Sequence, residues 1–388
     1  YGSLKLGAAY ATRDRDFAGR RIRFFHRNTA GIDLTLPPDQ ILTAENIGPN
    51  GFELEEITRA TDAYTGAHDI SAGYVQSDLA FGPWRAVAGV RVERSEQEVV
   101  TYNPQKPAEE PIITRLADTD ALPALSLVYT ISDEANLRFA ASQTVNRPEF
   151  RELAPFTFTN LVGGYAATGN PNLQRATIRS YDARWEWFPS GEEVVAASLF
   201  YKDFSDPIES VLVASVERLE SYQNAQSARN YGAELEMRRT LGSVSPWLEG
   251  MTAICNLTWV DSEIQLSKGS ILTNDARPLV GQPDYVGNLV LEWAPPDLGS
   301  TMRVLYNYTS DKVASAGAYG IPDVIETSRD TLDLVWRQDL GFLLDGLSIK
   351  LSASNLFNQE WLFTQGGEVY RRYEPGRTLG MSFSFTLF

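Results

Sequence analysis

Residues 181–187 constrain the fold of this chain more than any other stretch. Tyr181, Ala183, Trp185 and Trp187 fall on one side of a strict two-residue alternation, and Asp182, Arg184 and Glu186 on the other. A helix cannot sort side chains with that period, whereas a β-strand does so automatically. The contrast between the faces is also specific. A strand of a soluble sandwich pairs an apolar face with a mildly polar one, but here bulky aromatics stand opposite full charges.

The pattern recurs along the chain. Trp84, Ala86, Ala88, Val90 and Val92 alternate with Arg85, Val87, Gly89, Arg91 and Glu93. Tyr231, Ala233, Leu235 and Met237 alternate with Gly232, Glu234, Glu236 and Arg238, and Leu332, Leu334 and Trp336 with Thr331, Asp333, Val335 and Arg337. Met302, Val304, Tyr306 and Tyr308 interleave with Arg303, Leu305, Asn307 and Thr309. About fourteen such segments can be traced, many reaching the roughly 9–11 residues that a tilted strand needs to cross a bilayer. The expected fold is all-β, a transmembrane antiparallel barrel.

Hydropathy scanning misses such a chain, because each strand averages its two faces. Mean hydropathy is −0.24, and no run approaches the roughly 20 apolar residues of a membrane-spanning helix. Eight Trp, 17 Tyr and 18 Phe favour strands and membrane interfaces. The net charge of −16 argues against a nucleic-acid partner, which selects a basic surface. Cys255, the single cysteine, allows no intrachain disulfide and suits a small strand residue.

Connections alternate in length. Short ones rich in Gly, Pro, Ser and Asp lie at 82–83, 132–135, 189–193, 241–246, 295–299 and 341–346; long polar ones cover about 18–67, 103–117, 148–175, 204–227, 262–283, 311–328 and 358–375. This places every tight turn at one end of the sheet and every long loop at the other, as in outer-membrane barrels. Trp84 follows a short turn, while Trp187, Trp293 and Trp336 each precede one, so these four are expected to form an aromatic girdle at a membrane interface. In a soluble β-sandwich they would be core residues, but that reading leaves the charged face of nearly every strand unexplained.

Five motifs carry a resemblance to a known family. Asn355, Leu356, Phe357 and Asn358 follow an alternating strand near the C-terminus; RRYEPG at 371–376 leads through RTLG into the last strand; SQTVNRPEF stands at 142–150, TGNPNL at 168–173 and NYGAELE at 230–236. In order and spacing they resemble the TonB-dependent outer-membrane receptors of the proteobacterial long-loop branch, over essentially the whole chain. The resemblance implies a 22-stranded barrel plugged by an N-terminal globular domain that presents a short box to TonB. Neither plug nor box is recognisable here, and the chain opens in mid-alternation at Leu4 and Leu6. Residues 1–388 are therefore expected to be the C-terminal barrel portion, the last fourteen strands, as a fragment or one chain of a split receptor. One departure concerns the final strand: Leu379, Met381, Phe383, Phe385 and Leu387 share a face, leaving the terminal Phe388 out of phase with the apolar stripe.

The resemblance implies TonB-dependent uptake of a scarce nutrient, a ferric siderophore or an oligosaccharide, across the bacterial outer membrane. Its partners would be the missing plug and barrel segment, TonB through that segment, outer-membrane lipid and lipopolysaccharide, and the small nutrient. Ligand capture would fall to the long loops, with Tyr165, Tyr319, Trp361 and Tyr370 for stacking and Arg147, Arg151, Arg371 and Arg372 for charge; Phe24, Phe25 and Phe363 share that setting. Facing the lumen, Arg85, Arg91, Glu93, Arg184, Glu186, Glu234, Glu236 and Arg337 would pair with a plug or with one another, or simply keep a wet interior wet. The basic cluster Arg20, Arg21, Arg23 and Arg27 would meet lipopolysaccharide phosphates or an anionic ligand, or remain solvated.

Enzymatic chemistry has little to work with. The only histidines, His26 and His68, lie in or beside the first long loop, and no catalytic set, phosphate loop, cofactor motif or metal-ligand spacing is present. Two alternatives remain at this level: a self-contained passive channel of fourteen strands, and an outer-membrane enzyme or adhesin.

Overall fold

A computed structural model describes residues 1–27, 31–59, 62–102, 110–159, 166–213, 219–266, 272–274 and 276–386. Three residues named above, Tyr165, Leu387 and the terminal Phe388, lie outside the described residues.

Fourteen antiparallel strands form one sheet whose spatial order is their chain order. They are Gly2–Ala18, Ala63–Phe81, Trp84–Thr101, Ile112–Ser132, Ala135–Asn146, Ala176–Trp187, Val194–Ser205, Ser227–Thr240, Met251–Gln265, Tyr285–Trp293, Ser300–Thr309, Arg329–Asp339, Leu347–Ser354 and Thr378–Phe385. Each pairs with its chain neighbours, the arrangement that hairpin closure favours. Among the described residues no helix is long and apolar enough to cross a membrane.

The register shows how two-residue periodicity becomes a two-faced wall. Leu137, Trp185, Ala197, Leu235, Leu257 and Gly287 are successive cross-strand partners on the outward face. One residue along, Arg138, Arg184, Ser198, Glu234 and Thr258 make the corresponding inward row. A slip of one residue in any pair would put charges among the apolar side chains, so the alternation itself pins the register. The last strand follows the same rule, with Leu379, Met381, Phe383 and Phe385 outward.

The short connections take the expected places, but the long ones are better structured than composition suggests, and some are shorter. Wall strands run into them: Ile112–Ser132 begins inside the expected 103–117 connection and Met251–Gln265 extends into the expected 262–283 connection. The first four strands have 17, 19, 18 and 21 residues, well beyond a bilayer crossing, and project on the long-loop side. There the outward face turns charged, with Arg94 paired to Glu96 and Arg115 to Glu98.

The loops build a crown over that end. One four-stranded sheet combines Ile208–Val213, Leu219–Asn224, Ala166–Thr168 and Thr157–Thr159; another combines Lys312–Ser315, Val324–Glu326, Trp361–Gln365 and Glu368–Tyr373. The Leu212 N–H donates to the Ala316 carbonyl (2.8 Å), joining the two. Buried apolar clusters fill the crown: Tyr64, Val99, Phe150, Leu153 and Phe156 in one, Val211, Leu272, Ala316 and Ala318 in a second, Leu212, Val324 and Phe363 in a third. The hairpin 208–224 contributes to all three, through Ile208 and Tyr222, Val211, and Leu212 respectively.

Candidate functional site

The lumenal wall carries a ladder of ion pairs. Arg138 Nε lies 2.6 Å from Glu186, which is also 2.9 Å from Arg184 Nε, and Arg184 reaches across to Glu236 at 2.5 Å. Arg85 binds Asp78 (2.8 Å) and Arg91 binds Glu93 (2.7 Å). Six of the residues expected to line the lumen are thus engaged with wall neighbours, and Arg138, missed in the sequence, completes the ladder because it stands directly across from Arg184. Arg337 is placed beside Lys350 on the same face, a like-charge pair with no ion pair to either among the described residues; Glu234 likewise has none.

Nearer the crown, Arg147 is held by Glu93 (3.0 Å) and Asp120 (2.9 Å) and its side chain is only 14% exposed. Arg175 binds the same Asp120 at 2.8 Å and Asp118 at 3.3 Å. The expectation that Arg147 offers charge to a ligand is corrected by this geometry: its guanidinium neutralises carboxylates of the wall. The Arg20, Arg21, Arg23 and Arg27 cluster is corrected similarly. Strand Ile22–His26 pairs with Phe52–Glu56, and the four arginines meet Glu56, Asp62, Glu55 and Glu53 at 2.6–2.8 Å. The neutralising carboxylates sit about thirty residues downstream, too far for local reading. Beside Arg20 and the Thr58 hydroxyl, the Glu56 carboxyl is held down at about 2. His68, expected beside a loop, lies in a wall strand, its Nε2 2.8 Å from Ser95 Oγ.

Two arginine–aromatic clusters remain in the crown. The first begins where Pro148 ends a strand and the four-residue helix Phe150–Leu153 follows, closed by a capping box in which the Glu152 carboxylate accepts from the Glu149 N–H (2.9 Å). Burial pushes the Glu152 carboxyl above its usual range. The helix drives Phe150 and Leu153 into the cluster of Tyr64, Val99 and Phe156. Around it the guanidiniums stack on ring faces: Arg13 4.6 Å above Phe150, Arg151 4.6 Å above Phe158 and 5.9 Å above Phe17, and Arg15 6.0 Å above Phe17 and 5.9 Å above Tyr64. Arg13, Arg15 and Phe17 were not expected here. Their alternation marks a strand, but only pairing with 63–81 turns them to the inner face.

The second cluster lies on the Trp361–Gln365 and Glu368–Tyr373 hairpin, whose turn is Gly366 and Gly367 with φ of 61° and 89°, a left-handed pair suited to glycine. Arg371 is the cross-strand partner of Phe363 and lies 4.2 Å above its ring, 5.2 Å from Tyr373 and 5.9 Å from Tyr370. Arg329 sits 4.4 Å above Trp361. Of the other expected residues, Arg372 faces Glu374 (3.3 Å) and Glu360 (3.8 Å), and Tyr319 stands exposed at a loop tip. Tyr165, again, lies outside the described residues.

One pair had no signal in the sequence. Arg277 and Glu209 meet at 2.5 Å with side chains 3% and 1% exposed, and Glu209 also accepts from the Val280 N–H at 3.1 Å. This joins the hairpin 208–224 to the segment 277–280. The NLFN motif also has a structural role: the Asn355 side-chain amide donates to the Gly376 carbonyl (2.9 Å), tying it to the RRYEPG turn.

A two-faced fourteen-stranded wall under a crown of long loops is what comparison with known proteins also finds. Residues 2–358 match the family model described as TonB dependent receptor-like, beta-barrel. The chain belongs to that family. Its place is the bacterial outer membrane. An iron-regulated outer membrane virulence protein of Vibrio cholerae is 26% identical over 270 residues, 66% of this chain and 38% of the relative. The ferric-catecholate import receptor Fiu of E. coli K12 is similar in fold, with TM-score 0.68 and 15% identity over 99% of this chain and 52% of that one. The siderophore receptor PiuA of Acinetobacter baumannii gives TM-score 0.68 and 12% identity over 99% and 53%. The chain spans about half the length of these receptors.

Proposed function

We propose that this chain forms the wall and crown of a TonB-dependent importer whose ligand is an anionic, aromatic iron chelate, a ferric siderophore. The observation that carries the reading is the stacking of Arg13, Arg15 and Arg151 on Phe150, Phe17 and Phe158 at the lumenal base of the crown. Three guanidiniums stand among these rings, Arg13 also pairing with Glu149 (2.7 Å), and a cationic aromatic array of this kind suits catecholate or carboxylate ligands. A neutral sugar would instead select bare ring faces, which these arginines occupy. The names of the receptors reported above point the same way, one to ferric catecholate, one to a siderophore and one to iron regulation.

Arg371 and Trp361, with Tyr319, Tyr370 and Arg372, form the outer part of the proposed binding surface. In the same proposal the chain supplies the last fourteen strands of a 22-stranded barrel, and a plug domain with the remaining strands comes from a segment outside residues 1–388. Arg337 and Glu234 are proposed to face that plug, which passes energy from TonB. Trp84, Trp187, Trp293 and Trp336, all on the outward face near short turns, are proposed as the girdle at the periplasmic interface.

The test is binding and uptake by the intact receptor, offered a ferric tris-catecholate, ferric citrate and a neutral oligosaccharide. A ferric chelate should bind, its uptake should require TonB, and the Arg15→Ala, Arg151→Ala double variant should weaken it by about tenfold or more. Tight binding of the oligosaccharide, with no response to either chelate, would overturn the assignment.

A further inference from the structure

The short-turn rim is divided into two chemically different halves. On the side of the first strands, the turns carry Gly82 and Pro83, Asp133 and Glu134, and Glu192, while Glu193 is buried and accepts from the Thr240 N–H of the next hairpin (2.8 Å). The next three turns in sheet order, 241–250, 294–299 and 340–346, each carry one exposed carboxylate (Glu249, Asp297 and Asp345) but add large exposed apolar side chains at their tips. Trp247 is 95% and Phe342 78% exposed, and Val244, Leu298, Leu343 and Leu344 are all more than half exposed. Six large apolar side chains on three adjacent hairpins form a patch, unlike the scattered single residues of an ordinary surface.

These turns lean to the outward side of the wall. Arg239, in the outward register with Leu235 and Met237, lies 5.4 Å above the Trp187 ring and donates to Ser243 Oγ in the first turn (3.3 Å). Gln338 and Trp336 are outward neighbours on the third hairpin. Gln338 Nε2 donates to the Leu298 carbonyl of the second turn (2.9 Å), and Trp336 Nε1 to Ser300 Oγ just after it (2.9 Å). The patch therefore continues the lipid-facing surface of the wall past its last strand residues.

We propose that turns 241–250, 294–299 and 340–346 form an apolar foot seated among the phospholipid headgroups of the inner leaflet, while the opposite, acidic half of the rim stays in water. Amphipathic and aromatic side chains favour that zone, and Arg239, which lies over the Trp187 ring and pairs with Glu193 (3.4 Å), fixes the edge of the foot against the wall. A barrel held this way on one side only would sit deeper there than on the other.

Site-directed spin labelling of the intact receptor in phosphatidylethanolamine–phosphatidylglycerol liposomes tests the foot. In a Cys255→Ser background, labels are introduced by Trp247→Cys, Leu298→Cys and Phe342→Cys, with Asp133→Cys as the comparison on the acidic half. Collisions with oxygen should exceed those with a water-soluble nickel chelate at 247, 298 and 342, with the reverse at 133. Two outcomes would overturn the proposal. One is nickel access at 247 and 342 equal to that at 133, which means water. The other is shielding from both reagents with an immobilised spectrum, which means that protein rather than lipid covers the patch.

Discussion

Wall and crown both rely on arginine–carboxylate pairs, yet the same chemistry carries different weight in the two. In the wall, Glu186 serves Arg138 and Arg184, and Arg184 serves Glu186 and Glu236, with both arginines open to water. Strand pairing between chain neighbours holds the backbone independently of these contacts. In the crown, Arg277 and Glu209 are sealed from water, and together they tie segments 68 residues apart. Exposed pairs are worth little singly, whereas removing one partner of a buried pair strands a charge in a low dielectric. The comparison teaches that the barrel's ionic lining is redundant and its loop architecture is not.

The largest effect should come from Glu209→Ala. Leaving Arg277 buried without a counter-charge should destabilise the crown by about 3–5 kcal/mol. Amide exchange should rise sharply over 208–224 and 277–280 while the wall strands keep their protection. If the exchange rises equally in wall and crown, the two are one cooperative unit and the contrast breaks. A second variant sharpens it. Gly66 faces the crown, and a Cβ there would come within 2.7 Å of the Phe150 ring. Gly66→Val should displace the helix 150–153 at a cost of about 1–3 kcal/mol, seen as proteolysis near 150 with the strands intact.

In the wall, Glu186→Gln should cost about 1 kcal/mol, because both arginines retain water and Arg184 keeps Glu236. Thermal unfolding of the barrel should hardly move, and a shift as large as that of Glu209→Ala would contradict the redundancy. The smallest effect concerns pH. Glu56, at about 2 in the folded hairpin, lies below its unfolded value, so its contribution is complete above the unfolded pKa and is lost as pH falls through about 2. Glu152 has the opposite sign. Its raised carboxyl favours the folded form once protonated, so the cost of its charge appears as pH rises through its unfolded value. Proteolysis across acid pH should therefore expose 22–26 and 52–56 before 150–153.

The wall was legible before any coordinates. Residues 181–187 announced a strand, its two faces and their orientation, and the short turns at 82–83 and 341–346 told which ends meet. The lumen ladder was half legible: alternation marked Arg184, Glu186 and Glu236 as inward, but Arg138 joined them only through register. The crown was mostly dark. Arg147 and the 20–27 cluster looked like free charge, and their carboxylate partners come from strands that neighbour them only after folding. Arg13, Arg15 and Phe17 looked like an ordinary strand end.

The sequence by itself determined that this protein is a two-faced β wall with tight turns at one end, because strand periodicity is written in consecutive residues and a one-residue slip is prohibitively unfavourable. Only the tertiary structure decided which arginines are spent on carboxylates, which lie on aromatic rings, and which hairpin locks the loops. Those outcomes depend on contacts between segments tens of residues apart, and loop composition carries no period that would specify them.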